Sequence, residues 1–162
     1  MPKPKVYLET TILGYLTPMR TSAPDSIQSF RRQHAEAFWR VKESQFELYV
    51  SEVVLSEASK GRADLAEKRL QLLQDIPSLP LTVEIRDLAE DLQKSGIVPA
   101  TAVEDALHIA TASWWGMDFL VTYNFKHIDN PNVERRLEAV VARFDCSLPV
   151  LLSPLELLNL PA

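Results

Sequence analysis

The chain has 162 residues, 46% of them hydrophobic and 24% charged, with one cysteine and four glycines. That size and balance suit one globular domain over residues 1–162 and exclude a disordered chain, a fibrous repeat and a small disulfide scaffold. Seventeen Lys and Arg against 22 Asp and Glu leave a net charge of −5, which excludes a broad basic surface as the main grip on nucleic acid while allowing a local basic patch or metal-neutralised acids. No apolar run approaches the roughly 18 residues of a membrane span. Met1-Pro2-Lys3-Pro4-Lys5 leads directly into strand-like sequence without the apolar stretch of a signal peptide, so a cytoplasmic protein is expected. The lone Cys146 falls in a segment that reads as buried.

Lys5 to Leu8 reads as a short buried strand, followed at once by Glu9-Thr10-Thr11. Leu16 to Pro24 is loop-like and is the candidate mobile segment. Ile27, Phe30, His34, Phe38 and Val41 recur at steps of three and four, which predicts an amphipathic helix from about Asp25 to Glu43, capped by Asp25 or Ser26. Phe46 to Val50 is a second strand. Ser51 caps a helix carrying Val53, Val54, Leu55 and Glu57 that Gly61 ends, and another helix runs from about Asp64 to Gln74.

Leu79-Pro80-Leu81 is a candidate edge strand, since proline cannot donate to a ladder. A helix from Val83 to Ser95 stops at Gly96. A further helix follows Pro99 and Thr101, holds Asp105, Leu107, Ile109, Ala110 and Ala112, and closes at Gly116. Phe119 to Thr122 is a strand, Asn132 to Phe144 a helix, Val150 to Leu152 a strand, and Pro154 opens a last short helix. Short apolar strands between amphipathic helices predict an α/β sandwich, a parallel sheet covered by helices on both faces.

In open parallel sheets, ligands bind beyond the carboxyl ends of the strands. Glu9 lies directly after the first strand there, Asn124 lies two residues after the strand ending at Thr122, and the second strand feeds the helix carrying Glu57. Asp105 opens a helix whose next residues are small and apolar. Converging carboxylates are too costly to bury unpaired, so such a set holds a metal or shares a proton.

The order of these motifs resembles the PIN-domain nucleases. Val6-Tyr7-Leu8-Glu9-Thr10-Thr11-Ile12 is similar to their opening strand and first acid, Val54-Leu55-Ser56-Glu57 to their second acidic site, and Asp105-Ala106-Leu107-His108-Ile109-Ala110 to their third. Leu120 to His127 resembles the strand end that supplies a fourth polar ligand, and Leu151 to Glu156 the closing strand and Pro-led turn. The branch it most resembles is the VapC-type toxins of bacterial toxin–antitoxin pairs.

The resemblance implies an Mg²⁺- or Mn²⁺-dependent endoribonuclease that hydrolyses RNA phosphodiester bonds. It also implies a three-layer α/β/α sandwich with a central, mainly parallel sheet of about four or five strands, and a homodimer with a cognate antitoxin as protein partner. Glu9, Glu57 and Asp105 are then the metal-holding and catalytic acids, Asn124 a fourth catalytic position, and Thr10, Thr11 and Thr122 supporting residues. Hard oxygen donors suit these ions, and no Cys or His cluster points to zinc. The chain departs from the pattern at two places. Glu9 stands where the family most often has Asp, and Asn124 where many members have Asp.

Each residue also has a plainer reading. Glu9 can interact with the dipole of the helix that follows it, Glu57 can sit on a solvated helix face, Asp105 can cap its own helix, and Asn124 can serve as a turn residue. Lys126 and His127 are candidate phosphate contacts or members of a surface turn. His34 and His108 read as helix-face histidines without a role, Trp114 and Trp115 as packing residues, and the pairs Arg31–Arg32 and Arg135–Arg136 as solvated faces. The alternative functions are a degenerate PIN-like module that binds RNA or a partner protein without cutting, and an unrelated phosphatase-like or nucleotide-binding domain. The absence of a Gly-rich phosphate loop counts against the last.

Overall fold

The computed structural model describes residues 2–18, 23–124 and 131–161. Its elements run β1 (Lys5–Leu8), α1 (Thr11–Leu16), α2 (Ile27–Gln45), β2 (Glu47–Ser51), α3 (Glu52–Ala58), α4 (Ala63–Leu72), β3 (Ser78–Leu79), α5 (Val83–Lys94), α6 (Val103–Trp114), β4 (Phe119–Val121), α7 (Pro131–Ala142), β5 (Val150–Leu152) and α8 (Pro154–Leu158). The five strands form one sheet in the order β3-β2-β1-β4-β5, and every neighbouring pair is parallel. Helices cover both faces, which gives the three-layer α/β/α sandwich expected from the alternation of elements. On one side α5 packs against α6 and α7, and elsewhere α2 packs against α1 and α8.

Parallel strands covered on both faces must be apolar along their length. Val6, Tyr7 and Leu8 of β1 and Val121 of β4 are fully buried. Phe38 from α2, with Leu88 and Leu92 from α5, fills the space above and below them. Truncating a buried leucine such as Leu88 to alanine costs about 2–5 kcal/mol.

Local chemistry explains where the helices start and stop. Ser26, Ser51, Thr82 and Ser153 each accept an amide of the first turn, from Ser29, Val53, Ile85 and Glu156 respectively. Ser153 and Glu156 form a reciprocal capping box. Gly96 and Gly116, just past α5 and α6, have φ of 77° and 70°, a left-handed conformation that glycine adopts without strain.

Three expectations are revised. The edge strand is Ser78–Leu79, one residue earlier than expected, because Pro80 has no N–H to carry the ladder further. Ile27 and Phe30 are 66% and 53% exposed, so the buried face of α2 begins further along, with Ala35 and Phe38. Phe30 instead lies against the ring of His34, with centroids 4.4 Å apart. Cys146 is partly rather than fully buried. Residues 19–22 of the expected mobile loop, and Lys126 with His127, lie outside the described residues. No helix among the described residues is long and apolar enough to cross a membrane.

Candidate metal centre

The connection after β1 runs towards β2 on one side of the sheet, and the connection after β4 runs towards β5 on the other. The crevice between the carboxyl ends of β1 and β4 is therefore the topological switch point, the place where open parallel sheets bind ligands. Glu9 is the first residue beyond β1, and its N–H bridges to Val121 O of β4 at 3.1 Å. Thr122 to Asn124 leave β4 directly beside it.

Glu9 is only 5% exposed, and an ionised carboxylate at that depth needs donors. It has three. Thr122 Oγ1 donates to Oε1 at 2.6 Å, Thr11 Oγ1 donates to the same oxygen, and Thr11 N donates to Oε2 at 3.1 Å. The last contact is an amide of the first turn of α1, so the plainer reading of Glu9 as a helix-start acid holds alongside its place in the crevice.

Glu57 ends in the same crevice from the last turn of α3. Its Oε1 accepts from Thr10 Oγ1 at 2.7 Å and meets His108 Nε2 at 2.6 Å. It is thus no solvated helix position. His108, almost fully buried on α6, has its other nitrogen 2.6 Å from Tyr7 Oη, which lies 2.7 Å from Ser51 Oγ. Ser51 Oγ in turn accepts from Val53 N at 3.2 Å.

In the neutral imidazole one hydrogen-bond direction satisfies every group. Nε2–H donates to Glu57, Nδ1 accepts from Tyr7, and Tyr7 Oη accepts from Ser51. Burial works to raise the Glu57 pKa, but the hydrogen bonds from His108 and Thr10, with the nearby Lys60 charge, outweigh it and lower the carboxyl below its ordinary value. Burial pushes the Tyr7 hydroxyl well above its usual range, so it stays protonated and can donate.

Asp105 lies one helical turn before His108 on α6. Its Oδ1 accepts from Asn124 Nδ2 at 2.8 Å. Asn124 N donates to Thr122 Oγ1 at 2.8 Å, and Thr122 donates on to Glu9. Asp105 is therefore linked to Glu9 through Asn124, by its side-chain and backbone amides, and Thr122 rather than directly. Glu9, Asp105, His108, Thr122 and Asn124 give one pocket its polar lining, above apolar residues that include Ile109 and Leu137.

Glu9, Glu57 and His108 each present a ligand atom within 4.8 Å of the others, a group able to hold a divalent cation. Asp105 is not part of that tight group. Both nitrogens of His108 are already engaged, which makes it an orienting partner of Glu57 rather than a free donor. Among the described residues no hydrogen bond reaches Glu57 Oε2 or Asp105 Oδ2. Carboxylate oxygens are hard donors, so the Glu9–Glu57–His108 cluster has the chemistry to hold a divalent cation.

His108, Tyr7 and Ser51 were not expected in the site. The one sequence signal for His108 was an imidazole set among Ala106, Ile109, Ala110 and Ala112 on a helix that has to pack against the sheet. Arg31, expected on a solvated face, is half-buried and sits over the rings of Tyr123 and Tyr15.

No family model matches the chain, and no curated protein matches it. Solved structures do. The VapBC2 complex of Rickettsia felis, bound to a DNA fragment from its promoter, aligns with a TM-score of 0.58 and 14% identity over 92% of this chain and 98% of that one. FitAcB from Neisseria gonorrhoeae aligns with a TM-score of 0.57 and 11% identity over 93% and 98%. VapC20 of Mycobacterium tuberculosis, a toxin that cleaves the sarcin–ricin loop, aligns with a TM-score of 0.54 and 14% identity over 75% and 92%. At such identities the likeness is one of fold, and the fold is PIN-like.

Proposed function

We propose that residues 1–162 form a single PIN-like domain that acts as a divalent-metal-dependent endoribonuclease, the toxin of a toxin–antitoxin pair. The observation that carries this reading is the convergence of Glu9, Glu57 and His108 within 4.8 Å, with Asp105 and Asn124 lining a pocket that Glu9 and His108 also line. A chain with net charge −5 has little reason to gather carboxylates in one crevice unless a cation or proton offsets them.

In this reading Glu9, Glu57 and Asp105 hold one or two Mg²⁺ or Mn²⁺ ions, and Asn124 is a weaker fourth contact. The bound ion supplies positive charge against the scissile phosphate and lowers the pKa of the hydrolytic water. Thr11 and Thr122 hold Glu9 in position. Thr10 and His108 do the same for Glu57, with Tyr7 and Ser51 holding the imidazole. Lys126 and His127 remain candidate phosphate contacts. A homodimer, a cognate antitoxin and a cytoplasmic setting belong to the same proposal, supported by the fold shared with VapBC2 and FitAcB.

A second reading has its own support. Asn124 Nδ2 already satisfies Asp105 Oδ1, an arrangement that stabilises the carboxylate without a cation and suits a module that binds RNA without cutting it. Incubation of a structured RNA panel with Mg²⁺ or Mn²⁺ separates the two. The nuclease reading expects cleavage that leaves 5′-phosphate ends, stops with EDTA and disappears in Asp105→Asn. Equal cutting by both proteins would indicate a contaminating ribonuclease, and no cutting by folded wild type would favour the binding module.

A further inference from the structure

Arg31, in the second turn of α2, is held in place by two tyrosines. Its Nη1 donates to Tyr15 Oη at 3.1 Å. Its guanidinium carbon lies 5.1 Å from the ring centre of Tyr123 and 6.0 Å from that of Tyr15. The two rings meet edge to face, 4.8 Å apart at 62°, and Tyr123 Oη donates to Arg31 O at 2.7 Å. A flexible side chain from α2 is thus fixed by α1 and by the segment leaving β4.

That segment is also the wall of the crevice. Tyr123 lies between Thr122, which donates to Glu9, and Asn124, which donates to Asp105. Its own N–H bonds Thr11 Oγ1, the hydroxyl that donates to Glu9. One of the two tyrosines that seat Arg31 therefore belongs to the segment that holds the carboxylates.

The tyrosine bond engages one of the five guanidinium N–H donors. Among the described residues Arg31 joins no ion pair. Ring faces hold a guanidinium by its plane and leave its edge, the fork that matches phosphate oxygens, directed elsewhere. An RNA strand approaching a crevice of carboxylates is repelled unless a fixed cation meets it at the edge.

We propose that Arg31, seated on Tyr15 and Tyr123, binds a backbone phosphate of the RNA strand that enters the crevice. This inference rests on the nuclease reading and names a substrate-positioning residue for it.

The test is the binding of a fluorescein-labelled, mixed-sequence single-stranded RNA to the full chain, by anisotropy in EDTA over a series of KCl concentrations. Cleavage of the same RNA with Mn²⁺ is followed in parallel. Losing one phosphate contact should lower the slope of log K against log salt by about 0.7, and Arg31→Ala should weaken binding on the order of tenfold at low salt. Arg31→Gln, which keeps a donor for Tyr15 without the charge, should show the same loss of slope, and Arg31→Lys should retain it. If Arg31→Ala fails to fold by circular dichroism, the Gln variant carries the comparison. Wild type that binds and cuts, with charge-neutral variants of unchanged slope, overturns this inference alone. A weaker affinity at unchanged slope assigns Arg31 a packing role and overturns it too. Wild type that neither binds nor cuts removes the nuclease reading itself. Slope loss in binding an acidic peptide but not RNA redirects the site to a protein partner and likewise overturns the inference.

Discussion

His108 and Glu57 stand 51 residues apart in the chain and meet at 2.6 Å, imidazole nitrogen to carboxylate oxygen. The contact fixes one oxygen of a partly exposed carboxylate and leaves the other, Oε2, without a hydrogen bond among the described residues. Tyr7 and Ser51 continue the chain of hydrogen bonds into the sheet, so the orientation of Glu57 is set by groups that have no freedom of their own.

Removing the imidazole should therefore weaken cation binding. His108→Ala is expected to lower Mn²⁺ affinity by about 10–100-fold in calorimetric titration, the usual cost of losing a group that orients a ligand. Tyr7→Phe, which keeps the ring and loses the hydroxyl, should show a smaller drop. An unchanged affinity in His108→Ala would mean that Thr10 alone sets the carboxylate.

Thr122 is a hinge of the network, since it accepts from Asn124 N and donates to Glu9. Thr122→Val keeps the shape and removes both functions. With Glu9 nearly buried, the lost hydrogen bond to a charged group should reduce unfolding free energy by about 1.5–3 kcal/mol in urea titration. Thr122→Ser should recover most of it. A neutral result in the valine variant would show that Thr11 suffices to solvate Glu9.

The acid dependence of stability follows from Glu57. Its folded pKa lies below the ordinary value of 4.5, so the folded state favours the ionised form. Its contribution is then fully present above the unfolded pKa and is lost as pH falls through the folded one. In metal-free buffer the stability difference between wild type and Glu57→Gln should be constant near neutrality and shrink below about pH 4.5. Urea titrations at several acid pH values measure it. A difference independent of pH would place the stabilising interaction elsewhere.

The strands and helices were legible because their causes are local. Apolar runs bounded by Ser51, Pro80 and Gly96 set the elements to within a residue or two, and the order of strand ends brought Glu9, Thr122 and Asn124 to one crevice. What escaped was tertiary in origin. Nothing within α6 marks His108 as the partner of Tyr7, which precedes it by 101 residues. The seat of Arg31 needs α1, α2 and the end of β4 assembled together. Phe30 is exposed although it keeps the helical period, because the period does not say which turns of α2 the rest of the fold covers.

Asn124 offers the sharpest test of where a cation sits. Its amide donates to Asp105 Oδ1 at 2.8 Å, so Asn124→Asp replaces a donor by a second carboxylate at hydrogen-bond distance. In EDTA at neutral pH the pair must share a proton or repel, and with the lost hydrogen bond the variant should be less stable by about 2 kcal/mol. A divalent ion reverses the argument, because the added charge now strengthens binding to the folded state only. Mn²⁺ should raise the melting temperature of Asn124→Asp by more than it raises that of wild type, since stabilisation grows with the ratio of ligand concentration to Kd. Equal shifts in the two proteins would put Asn124 beyond the reach of the ion and leave its amide as a brace for Asp105.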